Sequence, residues 1–108
     1  MDPNARIAQF QDLKQRFPQM EQPRWSLATA FEGASRFEEA VAEFRELVAL
    51  KPDYCVAFLH LGSCLIELER YAEAIEALES AHSLAVAQGH MAPKQEAEML
   101  IEQAREEL

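Results

Sequence analysis

The chain has 108 residues, 49% of them apolar, and carries 19 acidic against 10 basic side chains, a formal charge of −9. This length suits one small domain with a core of its own. So acidic a chain would repel a phosphate backbone, which argues against nucleic-acid binding, and the sequence holds no run of about 18 apolar residues that could cross a membrane.

Two helices are predicted in the first third of the chain. The first covers residues 4–18 and carries apolar side chains at helical spacing: Ile7, Phe10, Leu13 and Phe17. Pro18 ends it, because the residue before a proline is pushed out of the helical region. Pro23 opens the second helix, where its missing N–H costs nothing, and Gly33 supplies the break that ends it.

Three further helices follow, predicted over residues 37–50, 54–68 and 71–88. Pro52 separates the first two, and Gly89 closes the third. The middle helix is apolar on more than one side, more than a single stack of helices is expected to cover.

A last helix is predicted over residues 93–108, after a break at residues 90–93. One thin apolar stripe runs along it, formed by Ala97, Leu100, Ile101 and Ala104. Its other faces are Glu, Gln and Arg, which is the composition that a terminal capping helix needs.

Two stretches of the chain align with each other at an offset of 34 residues. The aligned pairs are Leu27 with Leu61, Ala28 with Gly62, Phe31 with Leu65, Ala40 with Ala74, and Phe44 with Leu78. A fixed period of this length indicates repeats of one helix–turn–helix, none of which buries its apolar face alone. Ala28 and Gly62 are expected where paired helices cross closely.

Two such copies in register resemble the tetratricopeptide repeat family, whose pattern is Trp-x2-Leu-Gly-x2-Tyr, Ala-x3-Phe and Pro. The second copy places Phe58 at the Trp position and Leu61-Gly62 at the Leu-Gly positions. The resemblance is to small stand-alone bacterial members and implies an all-α superhelix, a short solenoid of about six antiparallel helices. Its parts within a single domain over 1–108 are a half-repeat helix (4–18), two repeats (21–54 and 55–88) and a capping helix (93–108).

In this family the first helix of each repeat lines a concave groove that holds a peptide or a helix of a partner. The resemblance therefore implies a protein-interaction adaptor. Carried over position by position, the partner-binding residues are Trp25, Thr29, Glu32, Val56, Leu59, His60, Ser63 and Ile66. Trp25 is the expected anchor, because Trp is enriched among interface hot spots. The Lys, Asn and Arg with which co-chaperone members clamp a terminal carboxylate are absent from the matching positions.

Three alternatives concern the apolar strip within that groove, formed by Trp25, Val56, Leu59 and Ile66. It contacts a foreign partner, it pairs with a second copy in a homodimer, or a terminal helix covers it. Homodimerisation through the N-terminal helix would also bury Ile7. Residues 1–24 sum to a charge of +1 and residues 25–108 to −10. The acidic excess indicates solvated helix faces or attraction to a basic partner.

No catalytic constellation, metal site or cofactor is expected. His60, His82 and His90 have no ligand partners at metal-binding spacing, and no glycine-rich phosphate loop is present. Cys55 and Cys64 lie on opposite sides of one predicted helix and so cannot form a disulfide. Thiols of this kind, together with an N-terminus unlike a secretory signal, predict a cytoplasmic protein.

Overall fold

The computed structural model describes residues 2–108, which form six helices and no strand. The helices are α1 (Pro3–Arg16), α2 (Glu21–Gly33), α3 (Phe37–Leu50), α4 (Cys55–Glu67), α5 (Tyr71–Gln88) and α6 (Met91–Glu106). The predicted all-α helical repeat class is confirmed. Within this described part of the chain, no helix has the length and apolar character that a bilayer crossing requires.

The predicted spans of α3 and α5 are confirmed, while two helices begin earlier than expected. Gly89 closes α5 in the left-handed conformation, with φ of 73°. The start of α2 lies at Glu21, and Pro23 sits in its first turn, where no backbone N–H needs a helical partner. The expected break before α6 is wrong for the same reason, because the helix begins at Met91 and accommodates Pro93 in its first turn.

The break after α2 is not made by Gly33, which is the last residue of the helix. Ser35 makes the turn instead, with a left-handed φ of 58°. The N–H of Ser35 donates to the carbonyl of Glu32 at 3.0 Å, and the N–H of Arg36 to the carbonyl of Phe31 at 2.9 Å. These bonds satisfy the last carbonyls of α2, so the chain reverses without glycine at the left-handed position.

The chain divides into two compact units. The N-terminal unit extends to Pro52 and contains α1, α2 and α3. Leu27, Phe44 and Leu47 are fully buried within it, and Ile7 brings α1 into the core with 4% of its surface exposed. Each buried side chain of this size contributes about 1.5–3 kcal/mol, so the three helices are held mainly by apolar packing.

The C-terminal unit, Asp53–Leu108, contains α4, α5 and α6. Leu65, Leu78 and Cys64 are its largest fully buried side chains. Gly62 lies so close to Leu78 that a Cβ built at Gly62 would overlap the side chain of Leu78. The expectation of a close helix crossing at Gly62 is therefore confirmed, and the crossing joins α4 to α5.

Candidate functional site

A cleft of about 260 Å³ opens between α1 and α2 in the N-terminal unit, and we call it the tryptophan cleft. Its lining residues are Arg6, Phe10, Gln22, Trp25, Ser26, Thr29 and Ala30. A further hollow of about 210 Å³ shares Arg6, Thr29 and Ala30 with it and extends to Pro3, Gly33 and Ala34. One of the two walls is α2, which carries the predicted residues Trp25 and Thr29.

Trp25 is half-buried, and its ring is held by a neighbour in the core of the same unit. The ring centroid lies 5.9 Å from that of Phe44, with the two planes at 67°, an edge-to-face arrangement. Aromatic pairs of this geometry contribute about 0.5–1.5 kcal/mol beyond the area they bury. The indole is thereby fixed in orientation while part of it lines the tryptophan cleft.

Thr29 and Glu32, the other predicted residues of α2, are both half-buried. The hydroxyl of Thr29 donates to the carbonyl of Trp25 at 2.9 Å, so its one proton is used within the helix. Its oxygen and methyl group remain for the cleft. Glu32 lies outside the lining of the tryptophan cleft.

Arg6 and Phe10 line the opposite wall and were not among the predicted site residues. The 34-residue offset that makes α1 the second helix of a half-repeat also predicts that it packs beside α2, which could have identified both. Arg6 differs from the other Lys and Arg residues of the N-terminal unit. Within residues 2–108, it forms no ion pair with a carboxylate. Arg6 is exposed and lines the cleft.

The position of α1 is set by Lys14, which bridges two carboxylates of α3. Its Nζ donates to Glu43 at 3.0 Å and to Glu46 at 2.9 Å. Burial lowers the pKa of Lys14, but its hydrogen bonds to Glu46 and Glu43 outweigh burial and raise that pKa. Burial also raises the pKa of Glu43, an effect that its hydrogen bond from Lys14 partly offsets. This bridge helps to fix one wall of the tryptophan cleft.

The predicted residues of α4 differ in exposure. Val56 is 36% exposed, and His60, Ser63 and Ile66 are half-buried. Leu59 is only 5% exposed, so the expectation that its side chain is exposed is wrong. It packs in a cluster with Leu78, Ala81, Ala97 and Ile101, and Ile66 packs against the same cluster.

The capping helix is the reason for that burial. Ala97 and Ile101 belong to α6, whose small side chains allow it to approach α4 and α5 closely. Of the three alternatives for the apolar strip, coverage by a terminal helix applies to Leu59 and partly to Ile66. Val56 lies outside that cluster.

A second cleft, of about 680 Å³, lies between α5 and α6, and we call it the acidic cleft. Its lining residues are Glu79, His82, Ser83, Glu98, Ile101, Glu102 and Arg105. Sequence reasoning missed it, because the Glu of these helices were read as solvated faces. A usable signal was present, since Glu98, Glu102 and Arg105 recur at positions i, i+4 and i+7 and so share one face of α6.

Glu98 is held in place at the rim of the acidic cleft. Its carboxylate accepts from Nε2 of His82 at 2.9 Å and lies 3.5 Å from Nζ of Lys94. The hydrogen bond with His82 holds the pKa of Glu98 below its usual range. This carboxylate is therefore ionised at neutral pH, and it links α5 to α6.

The described residues offer neither a metal-binding cluster nor a disulfide. Across residues 2–108, no group of three or more His, Cys, Asp or Glu side chains is arranged to hold a metal ion. Cys55 and Cys64 are both buried, and they are not joined in a disulfide, as expected. The thiol of Cys55 donates to the carbonyl of Ala81 at 3.3 Å, which ties α4 to α5.

Comparison with known proteins gives a consistent family and fold. A family model described as tetratricopeptide repeat matches residues 32–88. The TPR2B domain of yeast Sti1, solved as a complex with pHsp70, is similar in structure with a TM-score of 0.86 and 20% identity, over 94% of this chain and 82% of that chain. PcrH, solved in complex with the chaperone-binding region of PopD, gives a TM-score of 0.86 and 20% identity, over 92% of this chain and 75% of that chain.

A tetratricopeptide repeat domain protein from Salinibacter ruber is also similar. Its TM-score is 0.73 at 27% identity, over 80% of this chain and 97% of that chain. No curated protein matches the sequence.

Proposed function

Because the chain belongs to the tetratricopeptide repeat family, we propose that it is a non-enzymatic protein-interaction adaptor whose tryptophan cleft receives a peptide or helix of a partner protein. The observation that carries this proposal is the half-buried indole of Trp25, fixed against Phe44 and facing the cleft. The yeast domain and PcrH were each solved with a piece of another protein, which supports a general interaction role.

The chemistry of the tryptophan cleft suits one apolar anchor with polar groups around it. An apolar side chain of the partner would pack between Trp25 and Phe10, where both rings offer rigid apolar surface. Gln22 and Ser26 lie beside Trp25 on the same helix and would supply hydrogen bonds to the partner backbone. The guanidinium of Arg6 would bind a carbonyl or carboxylate of the partner.

We also propose contact residues in the C-terminal unit. Val56, His60, Ser63 and Ile66 of α4 all retain exposed surface and would contact a partner directly. Leu59 is left out of the proposed contact set, because α6 covers it. The cytoplasmic location stays a prediction, and the two buried thiols, which form no disulfide, support it.

The proposal can be tested with the chain's own chromophore, because Trp25 is its single Trp. Peptides selected against the immobilised chain by phage display would be titrated into it while Trp emission is recorded. We expect a shift in emission on binding. With a labelled peptide followed by anisotropy, Trp25→Ala should weaken binding by about 1–3 kcal/mol.

A control for this substitution is Met99→Ala on α6, which removes an exposed apolar side chain outside the tryptophan cleft. We expect it to leave peptide affinity unchanged. Circular dichroism of both variants would verify helicity. Equal affinity of the Trp25→Ala variant and the wild type for every selected peptide would refute the tryptophan cleft as the binding site.

A second candidate function is self-association, as a structural module that pairs with its own copy. Phe17 and Met20, at the junction of α1 and α2, are 44% and 51% exposed. Two large apolar side chains this close on the surface favour burial against a partner surface. Ile7 gives no support to this candidate, because it is already buried within its own unit.

A further inference from the structure

The acidic cleft has the volume of a binding site, and its lining combines an apolar side chain with carboxylates. Its volume of about 680 Å³ falls within the range of roughly 300–1,000 Å³ that is common for ligand sites. Ile101 of α6 is almost fully buried and supplies an apolar floor. Glu79 of α5 and Glu102 of α6 also line the cleft, one from each helix, and both are exposed.

The charge of the C-terminal unit is not balanced within the unit. Residues 53–108 include eleven acidic and three basic side chains. Two of the three basic side chains are already engaged, because Arg70 pairs with Glu73 at 2.6 Å and Lys94 lies 3.5 Å from Glu98. Glu79 and Glu102 have no ion pair in the described part of the chain. Both carboxylates are therefore available to a cation from outside.

The shape of the cleft indicates which cation would fit. A metal ion requires several donors that converge on one point, and residues 2–108 contain no such group of three. Carboxylates on two separate helices above an apolar floor suit a long side chain instead. The aliphatic stem of Lys or Arg would lie on Ile101 while its charged head reaches Glu79 or Glu102.

We propose that the acidic cleft is a second binding site, for a basic segment of a partner protein that inserts a Lys or Arg side chain between Glu79 and Glu102. This site lies on α5 and α6 and is distinct from the tryptophan cleft of the proposed function. The surplus negative charge of the C-terminal unit would also speed the encounter with a basic partner. Arg105 lies at the same cleft and limits its attraction for cations.

The test uses the full chain and a defined probe, a fluorescein-labelled peptide built from an Ala-Leu-Lys-Ala repeat. A peptide with Glu in place of Lys is the negative probe. Anisotropy at low and physiological salt would give both affinities. We expect the Lys peptide to bind and the Glu peptide not to bind, and the double variant Glu79→Gln/Glu102→Gln to bind the Lys peptide about tenfold more weakly.

The matched control is Glu76→Gln/Glu106→Gln, which changes the net charge equally on the same two helices outside the cleft. It should change the affinity less than about twofold. Arg105→Gln should act in the opposite direction and tighten binding. Equal losses in the two double variants would overturn the proposal, because they would assign binding to the general field of the unit. Absence of binding by the wild type at low salt would overturn it as well.

Discussion

Ser35 and Glu69, which lie 34 residues apart, share a left-handed backbone conformation with φ of 58° and 59°. Each N–H donates to the carbonyl three residues earlier, from Ser35 to Glu32 at 3.0 Å and from Glu69 to Ile66 at 2.8 Å. The same type of turn, with one left-handed residue, thus joins the two helices of each repeat. Neither position carries glycine, so both store conformational strain.

Replacing Ser35 with glycine should therefore stabilise the protein. Glycine adopts a positive φ without the steric penalty of a Cβ. This relief of strain in the folded state exceeds the cost of the extra conformational entropy that glycine gives the unfolded chain. We expect Ser35→Gly to raise the free energy of unfolding by about 0.5–1 kcal/mol in urea denaturation. Ser35→Ala is the control and should give no gain, since alanine keeps the Cβ. A gain of equal size in both variants would mean that the side chain of Ser35, and not its backbone, carries the cost.

Gly62→Leu should destabilise the C-terminal unit by overpacking. The new side chain would have to displace Leu78, which is fully buried. We expect a loss of about 1–3 kcal/mol in the free energy of unfolding.

The matched control is Gly33→Leu, the same substitution at a helical glycine. Apart from its own helix backbone and chain neighbours, nothing lies within 4 Å of a Cβ built at Gly33, and leucine is the better helix former. We expect this variant to equal or exceed the wild type in stability. Wild-type melting of Gly62→Leu would show that the assigned crossing of α4 and α5 is wrong.

Lys14→Met should destabilise the N-terminal unit, because it leaves the partly buried carboxylate of Glu43 without its cation. The side chain of Glu43 is 12% exposed, so water replaces the lost partner poorly. We expect a loss of about 1–3 kcal/mol at neutral pH by denaturant titration. On the same helix, Arg16→Met removes an exposed pair with Asp12 and should cost no more than about 0.5 kcal/mol.

The deficit of Lys14→Met should shrink on acidification. Burial already raises the pKa of Glu43, and the loss of Lys14 removes the hydrogen bond that partly offsets this rise. A raised pKa means that the folded state binds the proton more tightly than the unfolded state, so lowering the pH through it favours folding. The difference between variant and wild type should narrow as the pH falls from about 7 towards about 5. A difference that does not change with pH would assign the deficit to packing of the lysine stem.

Self-association can be measured by light scattering at several concentrations and two salt conditions. If Phe17 and Met20 form a contact between copies, Phe17→Ser/Met20→Ser should reduce the dimer fraction. Both side chains are exposed, so the fold should tolerate the change. Val86→Ser on α5, another exposed apolar position, is the control. A constant monomer mass for the wild type would leave the tryptophan cleft to a foreign partner.

Sequence periodicity predicted most of the fold because the helices depend on local spacing. The apolar and small residues at the 34-residue offset identify α2 to α5 and the crossing at Gly62. Helix ends were less predictable where a proline occurred. Pro23 and Pro93 were expected to mark the first residue of a helix. Each lies two residues further in, because any position in the first turn accommodates a proline.

The candidate site was less predictable, because it depends on how helices cover one another. Position within a repeat identified Trp25 as a residue of α2 with exposed surface, but it could not show that α6 buries Leu59. The acidic cleft was missed for the opposite reason. Charged residues on α5 and α6 look like solvated faces until their spatial arrangement around Ile101 is known.

Because Trp and Cys lie in different units, the unfolding of each unit can be followed separately in the same unmodified protein. The one indole lies in the N-terminal unit, and both thiols lie in the C-terminal unit. Cys55 and Cys64 are both buried, so a thiol reagent labels them when α4 separates from its neighbours. In denaturant, emission reports unfolding of the first unit and labelling reports unfolding of the second. Coincident midpoints would identify one cooperative transition, and separate midpoints would measure how weakly neighbouring repeats are coupled.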